Sequence, residues 1–222
     1  MSVRVAAVQL RVTGNRSDNL IRAAKLIDAA VAQGAQFVAL PECFVGSYGV
    51  KHFAKWQESV PLQAPRAEEG IDGGAALMAN AAQKHGVTVT GGIIEREDSG
   101  HALFNSMPVF GPCGSLLTNY RKVHLSRVLG VTSESDVLTA GDECAFFDLP
   151  GDSTHRVGMA CCFDLRFAAF LGQYGPYPSS PRQVERVDIL CAPSAFLEAT
   201  GGAHWDLLVR RAGLDLQSYV VA

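Results

Sequence analysis

Residues 3–9 form a short apolar run rich in Val and Ala, and its β-branching predicts a buried strand. Asn15 to Asp18 supply helix-capping residue types. Leu20, Ile21, Ala24, Leu26, Ile27, Ala30 and Val31 then recur at helical spacing, and Gly34 is a natural stop. A second apolar run, residues 37–40, ends at Pro41. Strand, helix and strand in that order predict two parallel strands joined by a right-handed crossover. Residues 73–85 are Ala-rich and predict a helix. Residues 87–94, 103–110 and 115–120 predict three strands, punctuated by Asp98-Ser99-Gly100 and Gly111-Pro112-Cys113-Gly114. Links that short favour antiparallel neighbours, so the sheets are expected to be mixed. Residues 156–162 predict another strand, with a short helix starting at Leu165. A loop with three prolines covers 174–181. A strand over 187–192, a helix over 204–216 and the start of a last strand over 219–222 complete the pattern. No internal repeat, low-complexity segment or domain boundary interrupts it, so residues 1–222 read as one α/β domain.

Composition narrows the function classes. The 222 residues are 48% hydrophobic and 18% charged, which suits a globular core and not a disordered chain. The net charge is -3, and the densest basic clusters, Arg121-Lys122 and Arg210-Arg211, are too small for a nucleic-acid footprint. No apolar run approaches membrane-spanning length. The N-terminus enters a strand directly, without the pattern of a secretory signal, so an intracellular setting is expected. The six cysteines should then be mostly thiols, and none has zinc-site spacing.

Three strand ends carry groups with chemistry. Glu42 follows the strand that ends at Pro41. Lys122 lies in Tyr120-Arg121-Lys122-Val123-His124-Leu125, and Cys162 in Cys161-Cys162-Phe163-Asp164-Leu165-Arg166-Phe167. Catalytic groups of α/β folds gather at such strand ends. Each also has a plainer reading: a solvated carboxylate, a surface lysine, a small buried thiol. Cys161 and Cys162 are separated by alternation along a strand, which lets only one of them face a pocket. The last residue before the helix is the better placed, where the helix dipole favours thiolate.

Taken together, these segments resemble the nitrilase, or carbon–nitrogen hydrolase, superfamily, whose catalytic set is Glu, Lys and Cys in that chain order. Leu40-Pro41-Glu42-Cys43-Phe44 is similar to its Glu motif, 120–125 to its Lys motif and 158–167 to its Cys motif. Glu134-Ser135 with Thr139-Ala140-Gly141-Asp142 is similar to the segment bearing a second glutamate. The resemblance implies a four-layer α-β-β-α sandwich with mixed sheets. It also implies Glu42, Lys122 and Cys162 as catalytic residues, Glu134 in support of Lys122, and the Phe163 N–H as an oxyanion donor. Within the superfamily, the Glu-side loop with Tyr48 and the central meander through Leu103-Phe104-Asn105 resemble amidases that cut the terminal amide of short 2-oxo dicarboxylate monoamides. Pro193-Ser194-Ala195-Phe196 and Tyr219-Val220-Val221-Ala222 resemble equally the amidases of deaminated glutathione.

No cofactor or metal is implied. The expected partner is a small amide, with no nucleic acid and no membrane, in a cytoplasmic or mitochondrial homodimer. Arg166 could grip a substrate carboxylate, or else pair with Asp164 or another carboxylate at the turn. Tyr48 could reach over the site, or simply pack on the surface. Members of the superfamily normally continue for several dozen residues past the point matching Ala222, so a C-terminally truncated domain with an unpaired sheet edge is expected. Residues 175–186 read as an insertion, and the stretch between Leu125 and Glu134 as a shortened loop. Two rivals remain: an inactive interaction protein on this fold, and a Cys–His hydrolase using His124 or His204.

Overall fold

In the computed structural model, which describes residues 2–65, 73–127, 133–151, 155–176 and 186–222, the first apolar run contracts to β1 (Val5–Ala7). Helix α1 (Arg16–Ala32) begins where Asn15 Oδ1 accepts the Asp18 N–H at 3.3 Å, and it buries Ala23 and Ile27. Gly34, at φ 84°, lets the chain turn back. β2 (Phe37–Ala39) then lies parallel to β1, as the strand-helix-strand pattern requires. The sequence pattern gave no signal for α2 (Val50–Trp56) or the two-residue β3 (Gln57–Glu58). Seven residues are too few for helical periodicity to show, and burial of Phe53 and Trp56 fixes α2 instead. α3 (Gly74–His85) ends at Gly86, which takes the left-handed conformation.

The expected strand over 87–94 is in fact two, β4 (Thr88–Thr90) and β5 (Ile93–Arg96), broken at Gly91-Gly92. Both pair antiparallel with the same flank of β6 (Leu103–Phe110), and β7 (Leu116–Arg121) pairs with the other. β8 (Ala145–Asp148) was also without a sequence signal. β9 (Arg156–Met159) stops three residues before Cys162. A single 3-10 turn over Cys162–Arg166 follows, and then α4 (Ala168–Leu171). β10 (Ile189–Cys191) leads to α5 (Glu198–Leu216), which starts six residues before His204; Gly201-Gly202 hid that first turn from a propensity reading. β11 (Tyr219–Val221) runs parallel to β10.

The strands form two mixed sheets. One runs β1-β2-β4-β6-β5-β3 with β7 on β6, and the other runs β11-β10-β9-β8. α1 and α3 pack Ala23, Ile27, Met78 and Ala82 on the outer face of the first sheet. Phe37, Met107, Val109 and Tyr120 from its inner face meet Phe147, Val157 and Met159 of the second sheet. The Phe37 and Phe147 rings touch edge to face across this gap, with centroids 5.7 Å apart. Leu208, Ala212 and Leu216 of α5 join the same core from the far side of the second sheet, making the fold a four-layer α-β-β-α sandwich. Burying a large apolar side chain of this kind stabilises by about 1.5–3 kcal/mol. Residues 128–132 and 177–185, where the shortened loop and the insertion were expected, lie outside the described residues. Among those described, no helix is long and apolar enough to cross a membrane.

Candidate active site

The Gly91-Gly92 break exists because another segment fills the gap beside it. Leu40 N–H donates to the Thr90 carbonyl, Gly92 N–H to the Pro41 carbonyl, and Phe44 N–H to the Gly92 carbonyl. The turn carrying Glu42 is thereby stitched into the sheet where β4 and β5 part. A Cβ on Gly92 would sit 2.6 Å from the Glu42 Cα and 2.8 Å from the Cys43 nitrogen, so only glycine admits this approach. Cys43 completes the turn at φ 51° and packs its side chain away, among Phe53, Ile94 and Leu138.

Glu42 is buried, and each carboxylate oxygen is held. Oε1 accepts from Lys122 Nζ at 2.9 Å and from Asn105 Nδ2 at 2.8 Å; Oε2 accepts the Ala195 N–H at 2.8 Å. Lys122, just past the end of β7, is fully buried and also lies 3.0 Å from Glu134 Oε2. Glu134 sits in a short 3-10 turn over Glu134–Asp136, where Oε2 accepts the Ser126 N–H at 2.6 Å and Oε1 the Tyr48 hydroxyl at 2.9 Å. Alternation along the strands explains the sorting. Asn105 and Lys122 face this cluster, while their neighbours Ser106 and Arg121 point the other way and bond Glu95.

The two adjacent thiols behave differently from expectation. β9 has ended before them and Cys162 adopts φ 45°, so alternation no longer applies. The Cys161 thiol donates to Glu42 Oε1 at 3.4 Å, and the Cys162 thiol lies near enough to Glu42 and Lys122 for both charges to act on it. Both therefore face the site, and Cys161 is more than a strand residue. The left-handed conformation costs about 1–2 kcal/mol at a non-glycine residue, and it is held by three ties. Cys162 N–H donates to the Pro193 carbonyl, Cys161 N–H donates to Asp164 Oδ2, and Asp164 N–H donates to the Cys161 carbonyl. Asp164 in turn accepts the Tyr120 hydroxyl at 2.6 Å and both the backbone and ring nitrogens of His124 at 2.9 Å. One buried carboxylate thus fastens the Cys162 turn to the chain on either side of Lys122.

Burial pushes the Cys162 thiol far above its ordinary range; the Glu42 carboxylate adds to this and the Lys122 ammonium offsets part of it. The expected dipole effect does not win, since one 3-10 turn offers little dipole and desolvation is large. Cys162 therefore rests as a thiol that needs a base, and the Glu42 carboxylate lies within electrostatic reach of it. Burial alone would lower Lys122, but Glu42, Cys161 and Glu134 outweigh it, so the ammonium stays charged. Burial would raise Glu134, yet Lys122 and the Ser126 N–H bring it below the ordinary carboxylate value. The Phe163 N–H belongs to the first turn after Cys162, where helical N–H groups lack an intrahelical acceptor.

The remaining expectations divide. Tyr48 is tied to Glu134 at 2.9 Å and to Ser126 Oγ at 3.0 Å, so its hydroxyl braces the site. Arg166 does not pair with Asp164. Both of its terminal nitrogens lie 3.3 Å from His204 Nδ1, and the guanidinium faces the Phe163 and Phe196 rings. Neither histidine of the Cys–His alternative is directed at Cys162: His124 bonds Asp164 and stacks on Phe167, and His204 bonds Arg166. A cavity of about 610 Å³ opens beside Glu42 between Pro193-Ser194-Ala195-Phe196 and the carboxyl ends of β1 and β2. Sequence reasoning missed the part played by Asn105 and by Asp164. An Asn amid the apolar residues 103–110 was the available signal, because Asn is depleted in strands.

A buried thiol, carboxylate and ammonium meeting at strand ends between two sheets define a thiol hydrolase of the nitrilase kind. Residues 4–222 match the carbon-nitrogen hydrolase family, and the chain belongs to it. It is 39% identical over 221 residues to omega-amidase NIT2-B of Xenopus laevis, covering 98% of this chain and 72% of that relative. It is 36% identical over 223 residues to omega-amidase NIT2 of Homo sapiens, covering 99% and 73%. Among solved structures, Saccharomyces cerevisiae Nit3, a member of branch 10 of the nitrilase superfamily, superposes with a TM-score of 0.79 at 29% identity. That match covers 98% of this chain and 73% of Nit3.

Proposed function

We propose that this chain is an omega-amidase, which hydrolyses the terminal amide of short 2-oxo dicarboxylate monoamides such as 2-oxoglutaramate to the acid and ammonia. The reading rests on one observation above all: a buried Glu42–Lys122 ion pair, 2.9 Å apart, acts electrostatically on the buried Cys162 thiol. Glu42 takes the thiol proton as sulfur attacks the amide carbon. Lys122 and the Phe163 N–H stabilise the oxyanion of the tetrahedral adduct. Glu42 returns the proton to the leaving nitrogen, ammonia departs, and a thioester remains. Water then attacks the thioester while Glu42 accepts its proton, and Cys162 leaves with that proton restored. Glu134 and Tyr48 hold Lys122 in place throughout. Arg166, close to the Phe163 and Phe196 rings, is the candidate cation for a substrate carboxylate.

The names of the relatives favour this substrate class over deaminated glutathione. We read residues 1–222 as a single carbon–nitrogen hydrolase domain, and we extend the proposal to a cytoplasmic homodimer on family resemblance. The test is ammonia release from a panel containing 2-oxoglutaramate, its analogue without the 2-oxo group, and simple aliphatic amides. The 2-oxo monoamide should be the best substrate, and Cys162→Ala should release none. Turnover retained in Cys162→Ala would reject the nucleophile, and an inert wild-type protein would reject the enzyme.

A further inference from the structure

We propose that Asn105 is a positioning residue whose side-chain amide keeps Glu42 and Glu134 from sharing a proton, so that Glu42 stays available as the base; this rests on the reading above. Asn105 is buried in β6 and opposes Ile94 of β5. A buried amide is costly unless it is satisfied, and this one is. Its Nδ2 donates to Glu42 Oε1 at 2.8 Å and to Glu134 Oε1 at 3.2 Å. Its Oδ1 lies 3.8 Å from the Cys161 sulfur, and its backbone carbonyl accepts the Lys122 N–H at 2.8 Å.

The charge balance makes the amide matter. Two buried carboxylates face one ammonium, so the cluster carries an excess negative charge. Two carboxylates that share a site without enough donors hold one proton between them, and one is then neutral. The other donors each serve one partner. Ala195 N–H and the Cys161 thiol serve Glu42; the Tyr48 hydroxyl and Ser126 N–H serve Glu134. Among the described residues only Lys122 and Asn105 donate to both. Lys122 supplies the charge, and Asn105 supplies a neutral donor common to the Oε1 atom of each carboxylate. The charged and titratable groups around Glu42 are thus Lys122 from the end of β7, Glu134 and Tyr48 from flanking loops, Cys161 and Cys162 after β9, and Cys43 on its own turn.

The test compares wild type with Asn105→Ser and Asn105→Asp. Two pH profiles are measured on each protein: amide hydrolysis, and single alkylation of the Cys162 peptide by iodoacetamide. Losing a hydrogen bond to a charged group should move the acid limb of both profiles upward by about one to two pH units. kcat at pH 7 should fall about ten- to a hundred-fold with little change in KM. Asn105→Asp keeps the side-chain shape and adds a third carboxylate, so its shift should be larger, and it preserves the readout if Asn105→Ser folds poorly. Acid limbs that superimpose on wild type once the folded fraction is accounted for would overturn the proposal. Should wild type release no ammonia from the panel, the omega-amidase reading falls, while the alkylation profile still decides the role of Asn105.

Discussion

Lys122 has no contact with water and faces two carboxylates, and that residue-level fact dominates the energetics of the site. Breaking a buried ion pair by removing one partner costs about 3–5 kcal/mol, because the remaining charge is left uncompensated. Lys122→Met keeps the volume but strands Glu42 beside Glu134. It should lower stability in urea by about that amount at pH 8, with a smaller loss near pH 5, where the two carboxylates can take up a proton. It should also abolish turnover. The proposed catalytic residues Glu42, Lys122 and Cys162 could be picked from the sequence because each sits in a recognisable motif at a strand end. The brace around them was not. The Tyr48 hydroxyl, the Ser126 and Ala195 N–H groups and the Asp164 tie come from loops whose paths only tertiary packing decides, and a backbone N–H leaves no mark in a sequence.

At the level of elements, the break between β4 and β5 shows what the pattern conveys and what it hides. Residues 87–94 read as one buried strand, since Val87, Val89, Ile93 and Ile94 are all apolar. The structure shows why a glycine pair interrupts that run: the Glu42 turn presses against Gly92. Gly92→Ala would force a Cβ into the Glu42 and Cys43 backbone. Overpacking of this kind costs about 1–3 kcal/mol. The expected outcome is a lower melting temperature together with a drop in kcat larger than the loss of folded protein, since the displaced atoms carry Glu42, the proposed base. α1, α3 and β6 were legible because their periodicity is long. β3 and β8 were not, since neither lies in an apolar run that the pattern picks out.

Across the whole molecule, five of the six thiols respond to pH together. Burial raises Cys43, Cys144, Cys161, Cys162 and Cys191 above the ordinary thiol value. The unfolded chain releases those protons above about pH 8.5, while the folded chain retains them. The stability they contribute is therefore intact below that pH and lost progressively above it. Under reducing conditions, unfolding midpoints should hold steady from pH 7 to 8 and decline toward pH 10. Cys191→Ala, far from the Glu42 cluster in charge terms, should make that decline shallower without altering its direction. The Asp164 tie described earlier has a wider meaning on this scale. Tyr120 and His124 reach it from the chain bordering one sheet, and Cys161 reaches it from the end of a strand in the other. The reactive centre is therefore a seam between halves that must first find each other: the first sheet brings the carboxylate and the ammonium, the second the thiol, and neither holds the full set.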